Sequence, residues 1–153
     1  MKVLTNIIVF SVGGLLASIT ALIVLSIFTF FDNNTTILLL FSSIIEELIK
    51  LLFILIIINL LNINKLTKIS PLFVVIFGIF FSFFEYILRI LNNTLINHTF
   101  LYSTTIHILT SLLILLSIIA YRSKHGLLTI PFVFFVLALF VHICYNLVVL
   151  KFM

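Results

Sequence analysis

Five long runs of apolar residues, separated by short polar segments, make up almost the whole chain. The runs cover residues 3–31, 35–61, 71–91, 104–121 and 127–150. A helix of about 20 apolar residues crosses the hydrocarbon core of a bilayer, whereas strands of a membrane barrel alternate apolar and polar positions over about ten residues. The pattern therefore predicts an all-α fold: a polytopic membrane helical bundle of about five transmembrane helices, forming one domain over residues 1–153.

Composition strengthens this prediction and excludes other classes of protein. The chain is 64% hydrophobic and 8% charged, with a mean hydropathy of +1.49. A soluble domain carries about 25% charged residues, and a disordered chain needs low hydrophobicity. The eight Lys and Arg residues are spread along the chain and form no basic stripe of the kind that binds nucleic acid. The lipid bilayer is thus the predicted partner, and Cys144, the single cysteine, is expected to be a small buried hydrophobe.

Basic residues predict the orientation in the membrane, because Lys and Arg concentrate in cytoplasmic loops. With the N-terminus inside, five basic residues face the cytoplasm, and Lys151, Arg89 and the acidic Asp32 fall toward the outside. We expect a multi-pass protein of the cytoplasmic membrane with its N-terminus cytoplasmic and its C-terminus outside. The five cytoplasmic basic residues are Lys2, Lys65, Lys68, Arg122 and Lys124.

The candidate chemistry lies in polar side chains within the apolar runs. Ionisable groups inside a transmembrane helix are costly, face the bundle interior and mark function. Counted from the cytoplasmic end of its run, each of Glu46, Glu85, His107 and His142 is 14 or 15 residues deep. At 1.5 Å per residue this is roughly 21–23 Å from the inner face. The candidates are Glu46, Glu47, Lys50, Glu85, Arg89, His107, His142 and Asn146.

Helical periodicity indicates that these groups converge. Residues spaced by three, four and seven share one face of a helix, and small or polar residues share the face of each candidate. A further face of small residues in the first run predicts close helix packing. The candidate faces are Gly78, Ser82, Glu85 and Arg89; His107, Thr110 and Ser111; and Ala138, His142 and Asn146; the packing face is Gly13, Gly14, Ala17, Ser18 and Ala21.

A structural interpretation stands beside the functional one. Glu47 with Lys50, and Glu85 with Arg89, have the spacing of ion pairs that hold a bundle together. Arg89 also lies near the outer end of its helix, where it can extend toward the interface. His107 alone is a weak signal, while His142 with Asn146 one turn later is stronger, because the amide can orient the imidazole or a reacting carbonyl.

The order of these motifs resembles that of the PrsW-type intramembrane proteases, relatives of the CAAX prenyl proteases and bacteriocin-processing enzymes. Glu46-Glu47-Leu-Ile-Lys50 resembles their EExxK motif, and Gly78-Ile-Phe-Phe-Ser82-Phe-Phe-Glu85-Tyr86 their second motif. His107-Ile-Leu-Thr110 is similar to the third motif, and His142-Ile-Cys-Tyr-Asn146 to the closing HxxxN. The resemblance covers about residues 40–150.

The resemblance implies an endopeptidase that cleaves a membrane-associated protein near the outer leaflet. Glu46 would be the general base toward water, and Glu47, held by Lys50, its supporting partner. His142 and Asn146 would polarise the scissile carbonyl and stabilise the oxyanion. Glu85 and His107 would complete the water site.

Three alternatives remain open at this point. Two His and one carboxylate form a common catalytic zinc set, so His107, His142 and Glu85 could hold zinc while Glu46 acts as the base. Intramembrane Glu and His residues also serve as proton or ion relays. Finally, the same fold suits a non-catalytic scaffold or an immunity-type protein, since fold does not fix function.

Overall fold

The computed structural model describes residues 2–29, 35–61, 71–91, 99–123 and 129–152, and these form five α-helices. Leucine, isoleucine, valine and phenylalanine fill the helices, and the two prolines lie where a helix tolerates them: Pro71 opens α3 and Pro131 is in the first turn of α5. The helices are α1 Lys2–Thr29, α2 Thr35–Leu60, α3 Pro71–Leu91, α4 Thr99–Arg122 and α5 Thr129–Phe152.

The predicted all-α fold is confirmed, and the bounds differ mainly in α4. That helix starts at Thr99 instead of residue 104, because the polar stretch before it continues as helix and carries Ser103 into the interior. Helix α5 covers Thr129–Phe152 rather than 127–150. Asp32, Lys65, Lys68, His98, Lys124 and His125 lie outside the described residues, as do the side chains of Lys2, Arg89 and Lys151.

Each helix contacts its neighbours around a closed ring. Helix α1 packs between α2 and α3, α4 packs between α3 and α5, and α2 completes the ring against α5 while also touching α4. The small face of α1 makes the contact with α2 and α3: Gly13 lies against Ile57, and Gly14 against the carbonyl oxygen of Phe77. The predicted small-residue packing face is therefore confirmed.

The outer surface of the bundle is apolar, the reverse of a protein folded in water. Exposed hydrophobic side chains occur on all five helices, including Ile23 at 59%, Leu60 at 70% and Phe132 at 67%. Contiguous apolar surface of this kind marks contact with lipid or another protein. In the part of the chain that the structure describes, three helical stretches are long and apolar enough to cross a membrane: Val3–Ile27, Phe100–Arg122 and Thr129–Val149. Pro71–Ile87 is a shorter apolar helix. The architecture is that of a helical membrane bundle.

Hydroxyl side chains on the helices find partners that suit this setting. Ser11, Thr20 and Thr105 each donate to the carbonyl oxygen four residues earlier in their own helix. Such bonds satisfy a polar group where no water is present. Cys144, in contrast to the expectation, is exposed, because it lies on the outer face of α5 while His142 and Asn146 turn inward.

The interior divides into an apolar half and a polar half along the helix axes. The apolar half contains the stacked rings of Phe10 and Phe73, with centroids 5.7 Å apart, and the fully buried Ile54 and Ile114. It lies toward the C-terminal ends of α2 and α4 and the N-terminal end of α3. The polar half lies toward the opposite ends of these helices and contains the candidate residues.

Candidate active site

Lys50 is the centre of the polar half. Its side chain is completely buried, and its Nζ lies 2.7 Å from Glu47 Oε1, 2.8 Å from His107 Nδ1 and 3.0 Å from Thr110 Oγ1. The ring of Phe81 lies beneath the same nitrogen, with its centroid at 4.7 Å. An ammonium with three hydrogen-bond acceptors and an aromatic face is fully partnered in an apolar surrounding. Lys50 thus joins α2 to α4 and α3.

Glu47 is buried between Lys50 and His142. Its Oε1 atom accepts from Lys50 and lies 2.6 Å from His142 Nδ1 on α5. The imidazole of His142 is therefore held by a carboxylate on one nitrogen, as in a catalytic triad. The Oε2 atom of Glu47 has no hydrogen-bond partner among the described residues. The expected Glu47–Lys50 pair is present, and Glu47 has a second partner that the sequence pattern did not predict.

Glu46 lies on the other side of His142. Its Oε2 atom is 3.6 Å from His142 Nε2, which is beyond hydrogen-bonding distance, and it has no hydrogen-bond partner among the residues described. The side chain is 13% exposed, whereas those of Glu47 and Lys50 are completely buried. A buried carboxylate oxygen facing a ring nitrogen across such a gap is suited to share a water molecule with it.

Glu85 and His107 form a second carboxylate–imidazole pair. Glu85 Oε2 lies 2.6 Å from His107 Nε2 and accepts a hydrogen bond from Ser103 at 3.0 Å. Close approach of α3 to α4 makes this contact feasible, because Gly78 lies directly against the backbone of His107 and Ile108. The two imidazoles meet edge to face, with centroids 5.1 Å apart.

Asn146 ties α5 to α2 one turn beyond His142. Its amide nitrogen donates to Ser43 Oγ at 2.9 Å, and both side chains are buried. The amide is thus oriented by Ser43, and the imidazole of His142 is oriented by Glu47 instead of Asn146. Of the eight candidates, only the Arg89 side chain lies outside the described residues, and the structure brings Glu46, Glu47, Lys50, Glu85, His107 and His142 into one continuous cluster.

The sequence predicts no supporting contact for four residues that the structure places against the cluster. Ser43 and Ser103 are buried serines that look like packing residues, although each is one helical turn from a candidate acid or imidazole. Thr110 belongs to the polar face of His107 and to the third motif, but neither pattern predicts its contact with Lys50. Phe81 is part of the second motif, which gives it no role of its own, but it is 2% exposed and its ring centroid lies 4.9 Å from that of His107.

The group that could hold a metal differs from the set drawn from the sequence. Among the described residues, the ligand atoms within 4.8 Å of one another belong to Glu46, His107 and His142, so Glu46 takes the place of Glu85. His142 fits a metal ligand well, because zinc-bound histidines donate their other ring N–H to a carboxylate. His107 fits poorly, since both of its nitrogens already contact Glu85 and Lys50.

Comparisons of the chain with protein-family models, curated proteins and solved structures found no match. The likeness to PrsW-type proteases therefore stays a prediction from the four short motifs.

Proposed function

We propose that the chain is an intramembrane endopeptidase in which Glu46 activates water for attack on a peptide bond of a membrane-associated protein. The observation that carries this proposal is the unpartnered Oε2 atom of Glu46, 3.6 Å from His142 Nε2. A carboxylate oxygen held beside an imidazole nitrogen, so that both can contact one water molecule, is the arrangement that general-base catalysis requires.

The reaction divides between the two adjacent acids. Glu46 takes a proton from water as the water oxygen bonds to the carbonyl carbon. It then gives that proton to the departing amine nitrogen as the carbon–nitrogen bond breaks. Glu47 holds the His142 ring through Nδ1, so that Nε2 can accept a hydrogen bond from the attacking water and keep it beside Glu46. Lys50 balances the charge of Glu47 at 2.7 Å.

The experiment compares new protein N-termini in membranes that contain the wild-type chain or a variant. The wild type and Glu46→Gln are expressed with a panel of single-span membrane proteins, and free N-termini are labelled and sequenced. Glu46→Gln preserves size and removes the base, so we expect wild-type-specific termini to disappear. His142→Ala should remove them as well, because the same water loses its second partner.

Ser42→Ala is the matched control for these variants. Ser42 lies one turn from Glu46 on α2, and its hydroxyl donates to the carbonyl oxygen of Leu39 in the same helix at 2.9 Å. Its removal should leave cleavage unchanged at equal expression. Termini that persist in both Glu46→Gln and His142→Ala would contradict the proposal.

Proton translocation is a second candidate function, favoured by the continuity of the cluster. The groups connect Glu85 through His107, Lys50 and Glu47 to His142 in steps of 2.6–2.8 Å. Chains of this kind carry protons in pumps and transporters. Vesicles with a trapped pH-sensitive dye distinguish the two functions, because a protease should leave an imposed pH gradient unchanged whereas a relay should dissipate it in a Glu47-dependent way.

The proposed site of action follows from the predicted topology. With the N-terminus cytoplasmic, the polar half of the bundle lies in the outer half of the cytoplasmic membrane, so cleavage would occur near the outer leaflet. Reporter enzymes fused after residue 153 test this arrangement: a reporter that is active only outside the cytoplasm should be active there. An active cytoplasmic reporter at the same position would reverse the orientation.

A further inference from the structure

Both ring nitrogens of His107 have a hydrogen-bond partner, and Lys50 determines which nitrogen accepts and which donates. Thr110 Oγ1 lies 3.4 Å from the carbonyl oxygen of His107 and donates to it, so it accepts from Lys50. The Glu47 carboxylate at 2.7 Å and the Phe81 ring at 4.7 Å both stabilise a positive charge on Nζ. An ammonium has three donors and no acceptor. His107 Nδ1, at 2.8 Å from Nζ, must therefore accept.

This assignment determines the other nitrogen of the same ring. A neutral imidazole that accepts at Nδ1 carries its proton at Nε2. His107 Nε2 then donates to Glu85 Oε2 at 2.6 Å. No lone pair of His107 remains for a metal ion, although Glu46 and His142 face each other at 3.6 Å with ligand atoms in place.

We propose that the buried ammonium of Lys50 prevents zinc from binding at a site that Glu46, His107 and His142 would otherwise form. The ammonium occupies the lone pair of His107 and places a positive charge where it repels a divalent ion from the group Glu46, His107 and His142. Replacing Lys50 with a neutral side chain frees the lone pair on His107 Nδ1 and removes the resident cation from beside the three ligand residues. Three protein ligands with an open fourth position suffice for zinc. The inference concerns metal binding and holds whether or not the chain cleaves peptides.

The first measurement uses the wild-type protein, so it does not depend on a variant that folds. Full-length protein with ¹⁵N-labelled histidine is studied in lipid nanodiscs, and His107→Gln identifies the His107 signals. We expect a protonated Nε2 and an unprotonated, hydrogen-bonded Nδ1. A proton on Nδ1, or on both nitrogens, would overturn the inference, because Lys50 would then not be donating to the ring.

The second measurement is the zinc affinity of wild-type protein and Lys50→Met after removal of metal by a chelator. Lys50→Met should gain affinity by about tenfold or more, the scale on which groups around a metal site act, and bind one zinc per chain. Cobalt, used as a coloured substitute for zinc, should show a tetrahedral spectrum in this variant. His107→Ala in the same background should abolish both signals, since the third ligand is lost.

Two control variants separate the charge of Lys50 from its packing. Lys50→Arg keeps the cation, and Thr110→Val removes only one acceptor of the ammonium, so neither should gain zinc affinity. A wild-type protein that binds one zinc per chain through His107 would refute the inference. If Lys50→Met does not fold, the ¹⁵N signals and the zinc content of the wild type decide the question.

Discussion

Gly78 is the residue that sets the spacing between α3 and α4 at the cluster, and Gly78→Ala is the sharpest test of the packing. A Cβ atom at this position would lie 2.9 Å from the His107 carbonyl oxygen and 2.9 Å from Ile108 Cα. Carbon atoms pack best at about 3.5–4.0 Å. The two backbones would therefore have to separate by roughly 0.6 Å or more, because neither contact involves a side chain that can rotate away.

The separation should affect both stability and the site. Overpacking a tight interior costs about 1–3 kcal/mol, and we expect this loss of unfolding free energy in Gly78→Ala. The same movement increases the distance between Glu85 on α3 and His107 on α4. Their contact of 2.6 Å would lengthen to about 3.2 Å, the long end of hydrogen bonds in proteins. Loss of the short hydrogen bond should then change the ¹⁵N signal of His107 Nε2.

Gly14→Ala is the matched control. Its added methyl group also meets backbone, the carbonyl oxygen of Phe77, but at the contact of α1 with α3. Detergent-induced unfolding in mixed micelles should show a loss of stability for both variants, at least as large for Gly14→Ala, whose added methyl group meets backbone more closely. Only Gly78→Ala should change the His107 signal. The reasoning is refuted if Gly78→Ala unfolds like wild type with an unchanged His107 signal while Gly14→Ala is destabilised.

Two further predictions concern the supporting serines. Ser43→Ala removes the acceptor of the buried Asn146 amide and should cost about 1–3 kcal/mol of unfolding free energy, measured by the same detergent titration; unchanged stability would contradict the contact. Ser103→Ala removes a donor to Glu85 and should cost less, about 0.5–1.5 kcal/mol, because Glu85 keeps its contact with His107; a loss as large as that of Gly78→Ala would show that Ser103 does more than support Glu85.

Much of the fold could be predicted because the decisive information is local. Apolar run length indicates a membrane helix, and spacing of three and four residues indicates which side chains share a face. His107, Thr110 and Ser111 are all buried, as are Ala138, His142 and Asn146, so the inward faces were predicted correctly. The start of α4 was not predicted correctly, because Thr99, Phe100 and Ser103 are compatible with either a loop or a helix.

The partners within the site could not be derived in this way. Adjacent residues such as Glu46 and Glu47 lie about 100° apart around the helix axis. The pattern therefore shows that their side chains point in different directions, but not which of them contacts His142. The structure places Glu47 at 2.6 Å from Nδ1 and Glu46 at 3.6 Å from Nε2. The rotation of α2 and its offset along α5 decide this, and both arise from packing among all five helices.

The sequence by itself determined that the chain is a bundle of membrane helices with a few charged groups turned inward and gathered at one depth. Hydrophobicity and helical periodicity suffice for that conclusion, because each depends only on neighbouring residues. Tertiary structure alone decided that Lys50 contacts His107, 57 residues away. It alone decided that the close approach of α3 to α4 at Gly78 brings Glu85 to the same ring. Contacts of under 3 Å between helices require relative positions accurate to a fraction of a helical turn, and only the packed bundle fixes these positions.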